Sequence, residues 1–444
     1  MLGGSRLRPA PERRRRGFGP LLGLLVVAGV CTAAAAPVQV GLGVARGVIT
    51  APISGGNTDA AAAARLRQVR TLLDRRSTAL LRHDRAGWLA GVDPAATGLR
   101  TRQAELLANI AAVPLGVWRY TLEPGDETGR VERGGSWTVR VTLHYTLRQV
   151  DTLPTDRPLV LTFTDRSGRW LISADDRTAT DGNTTWRGPW EHGLVLVRQG
   201  RSSLVMAHPA NAGRLASFAA VVDTVVPRVR AVVGSRTPVR VAVIIPDDET
   251  EMAALVGERL VLGTIAAVSV ADSVDTGRDR ALGQRIVVNP ANIERLGPLG
   301  RTVVLEHEVT HLATRGFTGP EMPIWLVEGL ADWVAYRDSG LPANQVADEL
   351  RAALGKGHWP GRLPVVADFR GDSPRLALAY EEAWSACRLI ADRAGPAALV
   401  RLYRAVGTAG DPAATLDAQL RRTVGQGTAA FTATWAADVR AEFG

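Results

Sequence analysis

A chain of 444 residues with 46% hydrophobic and 22% charged residues has the material for two or three packed domains, and it excludes a disordered or fibrous protein. The formal net charge of +9 does not mark a nucleic-acid binder, because six arginines against Glu12 place +5 of it before residue 20. The remaining +4 is spread over a chain with no aromatic-interleaved basic run and no zinc-finger spacing, so nucleic acid is excluded as a partner.

The arginines Arg6, Arg8 and Arg13 to Arg16 precede a nearly uncharged stretch, "GFGPLLGLLVVAGVCTAAAA", from Gly17 to Ala36. As a helix this segment is about 30 Å long, the thickness of a bilayer core. Basic residues before it and none directly after predict a single-pass anchor over residues 1–40, with a cytoplasmic tail and everything downstream outside the cell membrane. Ala33 to Ala35 also offer a cleavage site; the segment is then a signal peptide and the protein is secreted. Cys31 belongs to this segment, so the exported part keeps one thiol, Cys387, and no internal disulfide. Within an apolar helical pattern, Cys387 reads as a small core residue.

Residues 41–58 read as a linker, ending in "APISGGNT". From Ala60 to about Leu89 the apolar positions Leu66, Val69, Leu72, Leu73 and Leu80 recur at helical spacing, and a second helix is expected around Thr101 to Ala112. The period then changes to two. "WTVRVTLHYTL" alternates through Trp137, Val139, Val141 and Leu143, and "PLVLTFTDRSGRWLISAD" forms two strands joined at Asp165 to Gly168. Helices followed by a meander predict an α+β domain over 59–184. By element order, and by phrases such as "LLRHDRAGWLAGVDP", this region resembles the NTF2-like, cone-shaped fold. The resemblance implies a pocket between helix and sheet, with His83, Asp84, His144 and Tyr145 as candidate lining residues; surface and partly buried polar positions are the plainer reading.

Residues 185–444 predict a second α+β domain. "GLVLVRQGRSSLVMAHP" reads as two strands, residues 211–233 as a helix and "VRVAVIIP" as a buried strand. "GTIAAVSVAD" and "QRIVVNP" are further strands, and from Pro298 the pattern is mostly helical, giving a small mixed sheet and a helical C-terminal half.

The chemistry concentrates in "VLEHEVTHLATRGF", residues 304–317. On a helix, His307 and His311 stand one above the other, the arrangement two imidazoles need to share one metal ion. Glu308 points beside that face, within reach of a water on the metal. A catalytic zinc takes three protein ligands, and "PIWLVEGLADWVAY", residues 323–336, supplies an acid among apolar neighbours, Glu328. Asp332, one turn on, is placed to accept the second ring N–H of a histidine ligand. A polar helix face with a salt-bridged glutamate is the competing reading.

"HEVTH" followed by "WLVEGLADWVA" resembles the gluzincin branch of zinc metallopeptidases, in particular the bacterial peptidase MA-like proteins related to M1 aminopeptidases. The resemblance covers about residues 186–440. It implies a zincin-type metallopeptidase domain, one Zn2+ per chain held by His307, His311 and Glu328, Glu308 as general base, and a peptide or protein substrate. The family also places a tyrosine beyond the third ligand to donate to the developing oxyanion, a role that falls here to Tyr380 in "ALAYEEAWSACRLI". The sequence departs from M1 aminopeptidases in lacking a GxMEN-type motif before His307. "GTIAAVSVAD" stands in that region as an edge strand for an extended substrate, and its last residue, Asp272, is the candidate to substitute for the missing acid. Exopeptidase and endopeptidase activity are both open. A membrane-tethered binding protein with a catalytically silent zincin domain is the alternative function.

Overall fold

The computed structural model describes residues 56–123, 131–132, 134–176, 185–257 and 265–444. The predicted membrane segment, residues 17–36, and its basic lead lie outside the described residues. Among the described residues, no helix is long and apolar enough to cross a membrane.

The first helix, α1 (Gly56–Leu81), starts inside the stretch read as linker and stops earlier than its periodicity suggests. His83 takes a left-handed backbone (φ 55°), and the Asp84 side chain then caps a separate helix, α2 (Arg85–Ala90), by accepting from the Gly87 N–H at 3.0 Å. A third helix, α3 (Thr97–Asn109), follows. Strands β1 (Leu115–Leu122), β2 (Ser136–Leu147), β3 (Thr155–Arg166) and β4 (Arg169–Ala174) form an antiparallel meander in chain order. The β3–β4 turn lies where the sequence placed it, with Ser167 and Gly168 both at positive φ and the Gly168 N–H donating to Asp165.

Strand β1 escapes the sequence reading for a local reason. Its register shifts between Leu115 and Val117, and the bulge puts Trp118 three residues after Leu115, out of step with alternation, which resumes from Trp118 through half-buried Tyr120 to Leu122. Helix α1 touches both outer strands, β1 and β4, so the sheet curls around it. Val69 and Leu73 of α1 pack there against Trp137, Phe163 and Ile172.

The second sheet has five strands in the order β5 (Leu196–Gln199), β6 (Ser203–Ala207), β7 (Val241–Ile245), β11 (Arg285–Val288) and β8 (Ala267–Val270). Strands β6, β7 and β11 are parallel, while the two edges, β5 and β8, run antiparallel to their neighbours. Fully buried Val and Ile fill the parallel strands, as a sheet covered on both faces requires. Helix α4 (Leu215–Val233) crosses from this sheet to the helical half, α5 (Glu249–Val256) precedes β8, and a small hairpin, β9 (Ser273–Asp275) with β10 (Arg280–Leu282), leads into β11.

Short α6 (Pro290–Glu294) then opens the helical half: α7 (Pro298–Thr314), α8 (Ile324–Arg337), α9 (Ala343–Val346), α10 (Asp348–Gly355), α11 (Leu376–Ala394), α12 (Pro396–Gly407), α13 (Pro412–Val424) and α14 (Thr428–Phe443). The two sheets are joined by a buried cluster in which Trp118, Tyr145 and Trp190 pack against Leu204, Met206 and Ile244. Tyr145 is part of this seam and stacks on Trp186 at 5.7 Å. His83 sits on an exposed turn, Asp84 caps α2, and His144 lies between Thr121 and Asp156. The four candidate pocket residues of the N-terminal region therefore do not converge on one cavity.

Candidate metal centre

Helix α7 opens with Pro298 at its first turn, where the missing N–H costs nothing, and every residue from Val303 to Thr314 is buried. Helix α8 begins behind Pro323 and is buried from Trp325 to Ala335. Two helices buried nearly all round pack as a core pair, and their polar side chains must find partners within it. Helix α11 presses on α8 at Gly329, where an added Cβ would stand 2.3 Å from the Ala383 carbonyl oxygen and 2.8 Å from the Cys387 sulfur. That backbone-to-backbone approach brings Tyr380 beside the α7–α8 pair. Cys387 is buried and free, a core residue as its apolar pattern indicated.

The three expected ligands meet at one point. His307 Nε2 and His311 Nε2 are 2.9 Å apart, and Glu328 Oε2 lies 3.4 Å from the first and 3.5 Å from the second. Tetrahedral ligands on a zinc ion with bonds of about 2.0–2.1 Å are separated by about 3.3 Å, so the trio needs only tenths of an ångström to close on a cation. Across the helix pair, the His307 Nδ1–H donates to Asp332 Oδ1 at 2.7 Å, which turns the other ring nitrogen towards the cluster.

Electrostatics make the same request. His307, Glu308 and Glu328 are shut off from solvent, and neither oxygen of either glutamate completes a hydrogen bond of ordinary geometry. Burial lowers the pKa of His307, but Asp332 and Glu328 outweigh it and push the value up to about 10. Burial alone raises Glu328; the two histidines overcome it and hold the carboxyl at about 2. A positive charge among these donors is thus strongly favoured, and orphaned carboxylate oxygens are what a bound cation satisfies. The donor set fits zinc: two imidazole nitrogens and one carboxylate oxygen, with no cysteine to favour a closed thiolate site.

Glu308 is pushed up to about 7 by burial, against the pull of the His307 charge and the Ser269 hydroxyl. Tyr380 lies with its ring centroid 6.3 Å from that of His307, and burial together with the charges of Glu328, Asp332 and Glu308 holds its hydroxyl protonated. Phe369 meets Tyr380 edge-on at 5.1 Å.

Some neighbours had no sequence signal. Arg315, four residues past His311, donates from Nη2 to the Ser269 carbonyl at 2.9 Å and to the Ser269 hydroxyl at 2.6 Å, tying the end of α7 to β8. Glu306 faces Arg228 of α4 at 3.6 Å, and burial raises its carboxyl to about 7. Asp272 is absent from the centre: it pairs with Arg157 and accepts from Thr155, both of β3.

No family model matches this sequence, and none of the curated proteins matches it. Among solved structures, the chain is similar to a two-domain M1 zinc metallopeptidase bound to L-tryptophan, over 72% of this chain and 69% of that one, at 13% identity and a TM-score of 0.31. The likeness is distant. It carries no residue assignment, and the centre stands on its own geometry.

Proposed function

We propose that the chain is a zinc-dependent peptidase, tethered by or exported through its N-terminal segment and acting outside the cytoplasmic membrane. The observation that carries the reading is the convergence of His307, His311 and Glu328 from two buried helices, with one ligand atom from each within 4.8 Å of the others and the buried Glu308 next to His307 on the same helix. The placement outside the membrane is supported by the arginine-rich lead before residues 17–36.

One zinc ion, which His307, His311 and Glu328 would hold, would supply Lewis acidity and acidify a bound water. Asp332 keeps His307 in the tautomer whose Nε2 lone pair faces the cation. Glu308 takes the proton from the attacking water and passes it to the departing amine; a carboxyl raised by burial holds and releases a proton near neutral pH. The Tyr380 hydroxyl, kept protonated, donates to the carbonyl oxygen as it gains charge.

The test is metal content by mass spectrometry on full-length protein purified in detergent without chelators, beside His311→Ala and Glu308→Gln. The expected result is about one zinc per chain in the wild type, its loss in His311→Ala, and its retention in Glu308→Gln without cleavage of a mixed peptide pool. A wild type that takes up no metal even from added zinc overturns the reading and leaves a binding protein in its place.

A further inference from the structure

The β2–β3 turn and the first residues of β3 reach from the N-terminal region to the edge strand beside the metal centre. Strand β8 lies along α7, and β8 and β11 pair so that Arg285 stands opposite Val270, at one end of their ladder. Two contacts from the N-terminal region grip that end. Arg285, the first residue of β11, makes a two-pronged ion pair with Asp151 at 2.7 and 2.6 Å, both side chains buried. Asp272, two residues past β8, is paired with Arg157 and accepts from the Thr155 hydroxyl.

The approach is built for closeness. Gly283, at φ 62°, sits where any Cβ would run into the Asp272 carboxylate and the Thr155 hydroxyl. Arg157 is itself held over the Trp186 ring at 4.8 Å, and Asp151 also accepts the Leu147 N–H at 2.7 Å. At mid-strand, Arg315 binds Ser269 from the α7 side. Strand β8 is thus held from two sides, by the metal-bearing helix and by the N-terminal region, while its outer edge pairs with no strand among the described residues.

We propose that the β2–β3 turn and the start of β3 together are a positioning device for β8, with Asp151 of the turn and Thr155 and Arg157 of β3 as the positioning residues, and that peptide affinity at the metal centre depends on it. This rests on the peptidase reading, in which an extended substrate lies along a free strand edge beside the zinc. The N-terminal region then serves as a fixed wall of the substrate site.

Two zinc-binding probes separate the strand from the metal in full-length, zinc-loaded protein studied by calorimetry. Acetohydroxamate engages the metal alone; a leucyl dipeptide hydroxamate engages the metal and offers a backbone to β8. Arg157→Met, with the part-exposed end of the clamp removed, is expected to weaken the dipeptide probe about tenfold, a typical coupling between linked sites, and leave acetohydroxamate nearly unchanged. Arg157→Lys should restore most of the loss, and Thr155→Val, a milder change, should reproduce part of it. Equal losses for both probes, or none for either, overturn the proposal. If the wild type binds neither probe, the peptidase reading has failed, and the clamp is read by hydrogen exchange: residues 267–271 should exchange faster in Arg157→Met than in the wild type, and unchanged exchange refutes it.

Discussion

Gly329→Ala puts the packing account under direct strain. The added methyl would meet the Ala383 carbonyl oxygen at 2.3 Å, its carbon at 2.7 Å and the Cys387 sulfur at 2.8 Å. Two of these atoms are backbone and cannot rotate away, so α8 and α11 must part by roughly 1 Å to restore van der Waals distance. Overpacking of this kind costs about 3 kcal/mol at the upper end of the usual range, set against about 1 kcal/mol gained from alanine's better helix propensity. The net loss of about 2 kcal/mol should lower Tm by about 2 °C in calorimetry of a chain this long. Separation of α8 from α11 also carries Tyr380 away from the ligands, while His307, His311 and Glu328 stay together on α7 and α8. Zinc affinity, read by chelator competition, should therefore hold within a few-fold, while turnover of a cleaved peptide falls about 100-fold. Adding Cys387→Ala should not rescue the variant, because the Ala383 carbonyl remains. A Gly329→Ala protein with wild-type Tm and turnover would refute the claim that this contact sets the distance between the helices.

Three further outcomes follow from the centre and its surroundings. Asp332→Asn removes the carboxylate that fixes His307 and should weaken zinc binding about 10–100-fold in a chelator titration; unchanged affinity would show that the contact is incidental. Tyr380→Phe should keep zinc at about one per chain and lower kcat by about 100-fold or more with little change in KM, whereas unchanged kcat would take the hydroxyl out of the chemistry. His208 offers both ring nitrogens, to the Leu194 carbonyl at 2.9 Å and to Glu251 at 2.8 Å, and the Glu251 hydrogen bond raises its pKa. Its stabilisation is complete below the unfolded value and is lost as pH rises through the higher folded one. The Tm gap between wild type and His208→Gln should accordingly be wider at about pH 6 than at about pH 9; a gap independent of pH would mean that the pair is held neutral.

Much of the centre was legible in the chain because one helical turn is a local rule. An offset of four positions from His307 to His311, and from Glu328 to Asp332, stacks side chains whatever surrounds them. Strand alternation did the same for β2, and the Asp165–Gly168 turn was visible because its residues favour turns, with Ser167 and Gly168 at positive φ. What failed was also local in form. The bulge in β1 interrupted its alternation at the start of the strand, and His83 broke a helix whose apolar periodicity ran on past it.

The residue types and spacings by themselves determined which side chains can share a face and which of them can hold a metal. Which faces meet was decided only by the tertiary structure. The partner of Asp272 lies 115 positions away on β3 and that of Asp151 134 positions away on β11, and no periodicity reports on either. The contact between Gly329 and Ala383 is set by how closely two helix backbones pack, a property of the folded core and not of either segment. Ion pairs and close packing act over a few ångströms, so they enter only once the fold has brought distant segments together.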